Sequence, residues 1–160
     1  MDPAWLNDTS EFQRNFVHGL RNPHGLQLQF EIDGDRIFTV WTPGDRDAGF
    51  PGFAHGGLVA AVLDDAMARW AALHRRFLVT ARLDVRYHDG VPLHAPLRVE
   101  GWAVRMQRRA MRGQARALLA GGSVVAEASG TYMPLSAALQ QRMVEAWPGF
   151  TPYLEQASSG

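Results

Sequence analysis

Alternation of apolar and polar residues, and the places where it stops, divides the chain into elements. Leu26 to Ile32 alternates, Asp33-Gly34 supplies a turn, and Arg36 to Trp41 alternates again, which predicts a β-hairpin. Residues 42–54 (TPGDRDAGFPGFA) are rich in Gly and Pro and read as a loop. Gly57 to about Leu73 has no internal Gly or Pro and is rich in Ala and Leu, so one long helix is predicted there. The period then changes. Phe77 to Tyr87 alternates, with Val79, Ala81, Leu83, Val85 and Tyr87 expected on one side, and residues 97–107, 113–119 and 124–133 follow as three more strands. Breaks fall at Asp89-Gly90, Arg108-Arg109 and Gly121-Gly122. Ahead of the hairpin, Ser10 and Gln13 have capping-box spacing and Gly19 is placed to close a short helix over 9–19. Beyond Pro134 a short helix, about Ser136 to Ala146, leads into a Pro/Ser/Gly tail expected to be loose.

Strands joined by tight turns pair antiparallel, and one long helix among six strands must pack on a single sheet. The expected class is α+β, an antiparallel six-stranded sheet wrapped around one central helix. Residues 1–160 are expected to form a single domain, with its core at about 26–134 and peripheral ends at 9–19 and 135–160. One helix covers one face only, so part of the sheet or its edge is left for a partner.

Composition narrows the chemistry. Sixteen basic and sixteen acidic residues give zero formal net charge, which disfavours a nucleic-acid partner. The absence of cysteine excludes a disulfide framework, a thiolate nucleophile and Cys-ligated metal. The first residues lack a signal-peptide pattern, and no apolar run approaches the ~18 residues that span a bilayer, so a cytoplasmic protein is expected. The His residues at 18, 24, 74, 88 and 94 have no metal-ligand spacing, so neither metal nor cofactor is expected. No Ser sits in a G-x-S-x-G elbow.

The central helix carries the most informative residue. On a helical wheel Gly57, Ala60, Ala61, Asp64, Ala68 and Ala71 share one face, and Asp64 is its one member that is neither Gly nor Ala. Such a stripe implies close approach by the wrapped sheet or a partner helix, where an unpaired carboxylate is costly unless it serves a purpose. The bland alternative is a buried Asp bonded to strand amides. Asp65 points elsewhere and has Arg69 four residues on, suiting a surface ion pair. His55-Gly56-Gly57 precedes the first turn, where unpaired N–H groups and the helix dipole can stabilise a developing oxyanion, unless the glycines merely make a tight turn. Gly56 and Asp64 lie eight residues apart, roughly 12 Å along a helix axis. If both act on one carbonyl they must come from different subunits, so a composite site in a homodimer or dimer of dimers is expected.

The segment GFPGFAHGGLVAAVLDD (49–65), followed by VTARLDVRYHDGVPLHAPLRVEG (79–101), resembles the hotdog thioesterases of the phenylacetate-degradation type, over about residues 28–133. The resemblance implies hydrolysis of an acyl-CoA. Asp64 would be nucleophile or general base, and the Gly56 N–H would polarise the carbonyl across the dimer interface. His55 would sit near the thioester, Thr80 would position water or the carboxylate, and Gly57 would lie against the substrate. Some members carry Asn six residues before the His, where this chain has Gly49. Phe50 and Phe53, just before His55, are candidates to line an acyl pocket. Six Arg lie between 98 and 116. They suit either a solvated strand face or the phosphates of CoA, with Arg105, Arg108 and Arg109 the best placed for phosphate. Two rival functions share the fold, namely a non-catalytic acyl-CoA-binding module, which would not need Asp64, and an enoyl-CoA hydratase or dehydratase.

Overall fold

A computed structural model describes residues 11–158. Six strands form one antiparallel sheet: β1 (Glu31–Asp33), β2 (Arg36–Trp41), β5 (Leu78–Tyr87), β6 (Leu97–Gln107), β7 (Ala110–Leu119) and β8 (Val124–Pro134), in the order β1-β2-β6-β7-β8-β5. A small hairpin, β3 (Ala48–Phe50) and β4 (Phe53–Ala54), leads into the central helix α1 (Gly56–Leu73). This is the α+β arrangement expected, with α1 laid across the sheet.

The core lies between that helix and the sheet. Val59, Val62, Leu63, Ala66 and Met67 are buried on the sheet-facing side of α1, against Ile37, Leu97, Val99, Met111 and Tyr132. Apolar side chains at three- and four-residue spacing meet alternate positions of the strands, so two periodicities close one core. The Gly/Ala stripe takes another direction. Gly57 is exposed and Ala60, Ala61, Asp64 and Ala68 are half-buried; only Ala71 of the stripe is buried. Within one chain the sheet does not cover the stripe.

Four local expectations are corrected. The first strand begins only at Glu31, because the Leu26 and Leu28 N–H groups donate to the carbonyls of Phe16 and Val17 instead of a neighbouring strand. Near the N-terminus, the described residues form a 3-10 turn, Glu11–Arg14, and Gln13 turns its side-chain oxygen to the Leu20 N–H at 2.8 Å; Ser10 lies outside the described residues. The Gly/Pro-rich loop at 42–54 contains a 3-10 turn (Asp45–Asp47) and the β3–β4 hairpin, turning at Gly52 with φ +84°. As far as residue 158 the tail is not loose. After α2 (Ala137–Ala146), capped by Ser136, residues Pro148–Phe150 and α3 (Thr151–Ser158) fold back so that Phe150 is fully buried against Phe77, Trp147 and Tyr153. Pro, Ser and Gly suggested disorder, but the aromatic residues among them bury enough surface to fix the segment.

Candidate active site

Asp64 sits half-way along α1 and is held by two hydroxyls from the sheet. Thr80 Oγ1 lies 3.0 Å from Oδ1 and 3.1 Å from Oδ2, and the Tyr132 hydroxyl donates to Oδ1 at 2.7 Å. Thr80 and Tyr132 are cross-strand partners on β5 and β8. Neither donor is a backbone amide, so the bland reading of a buried Asp does not describe this carboxylate.

Strict alternation along β5 would turn Thr80 away from the helix, because Leu83 and Val85 already pack into the core. A β-bulge intervenes: the register steps from Thr80↔Tyr132 to Arg82↔Thr131, leaving Ala81 as the extra residue. The bulge turns Thr80 towards Asp64 and leaves Val79 36% exposed on the other side. The expected common face of Val79, Ala81, Leu83, Val85 and Tyr87 is therefore broken at Ala81.

Burial lifts the Asp64 carboxyl above its ordinary range, the two hydroxyl donors pull it partly back, and the neighbouring Asp65 charge pushes it up again. The Tyr132 phenol is driven far up by burial and by the carboxylate beside it, so it stays protonated and always donates.

The helix N-terminus forms the second half of the constellation. His55 is the N-cap; its Nδ1 accepts from the Gly57 N–H at 2.9 Å, and its carbonyl accepts from Leu58 and Val59. Among the described residues, no acceptor takes the Gly56 N–H. That donor points out of the first turn at the positive end of the helix dipole. The Tyr87 hydroxyl donates to the Gly56 carbonyl at 2.6 Å, and Gly56, Val59, Tyr87, Phe50 and Phe53 line an open, mainly apolar groove of about 660 Å³. Asp64 does not line this groove and lies eight residues further along α1, roughly 12 Å along the helix axis from Gly56.

Gly49 has a packing reason. A Cβ there would stand 2.7 Å from the Cα of His55. The hairpin runs directly against the N-cap, and an Asn at this position would displace it.

Asp65 does not form a surface pair. It is buried, and its Oδ2 lies 2.8 Å from His18 Nδ1, while Arg69 Nη1 lies 2.9 Å from His18 Nε2. Arg can only donate, so His18 Nε2 accepts and Nδ1–H donates to Asp65. His18 comes from the N-terminal segment, distant in sequence, and its insertion converts an i, i+4 pair into a buried chain of three. Asp65→Ala is expected to cost about 3 kcal/mol, because it strands a buried partner. That is a fall in Tm of about 10 °C, read by thermal denaturation.

Of the six arginines, Arg98 and Arg116 converge with Arg36 on Glu100. Arg105, Arg108 and Arg109 are exposed around the β6–β7 turn, and no carboxylate pairs with them among the described residues.

Tyr132 and Tyr87 have the sequence pattern of ordinary strand residues. The one trace of Tyr132's role is Gly130, two residues earlier on the same face: a Cβ there would lie 2.5 Å from the Tyr132 ring.

A family model for the thioesterase superfamily matches residues 51–131, and the chain belongs to that superfamily. It is similar to human acyl-coenzyme A thioesterase THEM5, 29% identical across 56% of this chain and 47% of the relative. The chain spans about half the length of the curated relatives it matches. Among solved structures it resembles RHA08564, a thioesterase superfamily protein, with TM-score 0.72 and 25% identity over 76% of this chain and 60% of the other. It also resembles smu.793 from Streptococcus mutans UA159, solved bound to acetyl CoA, with TM-score 0.66 and 19% identity over 76% of this chain and 98% of the other.

Proposed function

We propose that the protein hydrolyses an acyl-CoA thioester to the free acid and CoA, in a site shared between two subunits and of the phenylacetate-degradation type. The observation that carries this reading is Asp64, a carboxylate half-buried on the open stripe of α1 and gripped by Thr80 and Tyr132. Its raised affinity for protons suits a general base better than a surface Asp would be suited. Water adds to the thioester carbon as Asp64 takes its proton. The carbonyl oxygen becomes an oxyanion and accepts the unused Gly56 N–H of the partner subunit. Collapse of the tetrahedral intermediate breaks the C–S bond, and the CoA thiolate leaves with a proton. Direct attack by Asp64 to give an anhydride uses the same groups. His55, with Nδ1 already an acceptor, has Nε2 to offer the leaving sulfur.

The apolar groove beside Gly56 would take the acyl group, with Phe50 and Phe53 as its aromatic wall; Gly57, expected against the substrate, is exposed and does not line the groove. Arg105, Arg108 and Arg109, exposed and without carboxylates, are the side chains for the CoA phosphates. The similarity to acyl-CoA thioesterase THEM5 supports the substrate class.

The test is release of CoA from phenylacetyl-, benzoyl-, hexanoyl- and palmitoyl-CoA, read with a thiol-reactive dye, to which a protein without cysteine contributes no background. Turnover of at least one substrate is expected. Tight acyl-CoA binding with no release from any of them would replace the enzyme by a binding module.

A further inference from the structure

We infer that Tyr132 is a positioning residue for this reaction, fixing Asp64 so that Oδ2 is the oxygen that meets water. The inference rests on the hydrolytic reading above and adds to it the group that aims and tunes the carboxylate. Thr80 has one hydroxyl proton, shared between Oδ1 and Oδ2 at 3.0 and 3.1 Å, so what distinguishes the two oxygens is the Tyr132 hydroxyl, which donates to Oδ1 at 2.7 Å. A carboxylate oxygen has two lone-pair directions. Tyr132 occupies Oδ1, and Oδ2, with only a share of the Thr80 proton, is the oxygen left more open to water.

The Tyr132 ring is held rigidly. It is fully buried, and it lies over Gly130 on the same face of β8, in space that any side chain at 130 would occupy. Its hydroxyl also lies 3.2 Å from the Asp64 backbone carbonyl, a contact secondary to the 2.7 Å bond because the one phenolic proton goes to Oδ1. Burial without this donor would favour the protonated, non-basic carboxyl. The hydrogen bond to the charged form opposes that. The groups facing Asp64 are Tyr132 from β8, Thr80 from β5 (which does not titrate) and Asp65 on its own helix, itself held by His18 and Arg69.

The test compares the wild type with Tyr132→Phe, which keeps the ring over Gly130, and with 3-fluorotyrosine at 132, a stronger donor. Two readouts are taken: kcat and KM against pH, and the Asp64 side-chain carboxyl titration by 13C NMR, which needs no turnover. In Tyr132→Phe, kcat at neutral pH is expected to fall about tenfold with KM within about twofold. The acid limb and the carboxyl titration should both move to higher pH; fluorotyrosine should move both the other way. Unchanged titration and unchanged acid limb in both proteins would overturn the inference. If Tyr132→Phe does not fold, the fluorinated protein decides alone. If the wild type hydrolyses no acyl-CoA, the proposed function falls, while the titration still decides whether Tyr132 tunes Asp64.

Discussion

Asp64→Asn is expected to lower kcat for acyl-CoA hydrolysis by about a thousandfold while leaving KM nearly unchanged, because Asn keeps the shape and the hydroxyl contacts but cannot take a proton from water. The same substitution should stabilise the fold. Asp64 titrates higher in the folded chain than in the unfolded one, so its ionisation works against folding as pH rises through the folded value. Tm of the variant should therefore exceed that of the wild type at neutral pH, and the difference should vanish at pH values below the ordinary carboxylate range. Loss of activity together with a gain in stability is the signature of a carboxylate kept for chemistry. Parallel loss of both would mean that Asp64 holds the fold instead. Asp65 cannot serve as the control, because it is buried on His18 and its removal destabilises the chain.

Gly56→Pro isolates the second half of the site. Gly56 is the first residue of α1, where Pro is accepted because its φ suits the helix and the missing N–H would have had no helical acceptor. His55, at φ −64° and ψ 127°, already has the backbone that a residue before Pro requires. A Cβ at 56 meets the Tyr87 ring no closer than 3.5 Å, an ordinary contact. The substitution therefore removes one N–H and little else. Turnover should fall about a hundredfold or more, the scale of a lost oxyanion donor, with Tm within a few degrees of wild type. Activity within a fewfold of wild type would show that the oxyanion is held elsewhere.

The long helix, the succession of strands along the chain and the isolation of Asp64 among Gly and Ala were legible in the sequence, because each is set by periodicity along a continuous segment; the order of the strands in the sheet, with β5 paired to β8, was not. The helix N-terminus was legible as well, since His55-Gly56-Gly57 is a contiguous run. What stayed hidden depended on contacts between distant segments. The bulge at Ala81 follows from how β5 meets β8, and without it Thr80 points the wrong way. Tyr132 reaches Asp64 across 68 positions, and His18 reaches Asp65 across 47. Neither leaves a local pattern beyond the glycine that makes room for the Tyr132 ring. The direction of the Gly/Ala stripe was also undetermined, because a wheel shows which residues share a face but not what covers it.

Subunit mixing tests the composite site most directly. Gly56→Pro and Asp64→Asn proteins, each nearly inactive, are denatured together at equal concentration and refolded. In a dimer where Gly56 of one chain serves Asp64 of the other, a mixed pair contains one site with both defects and one intact site. Random pairing should then restore about one quarter of wild-type activity. If recovery stays at the level of the separate variants while mixed dimers are shown to form, both groups act within one chain, and the composite site is wrong.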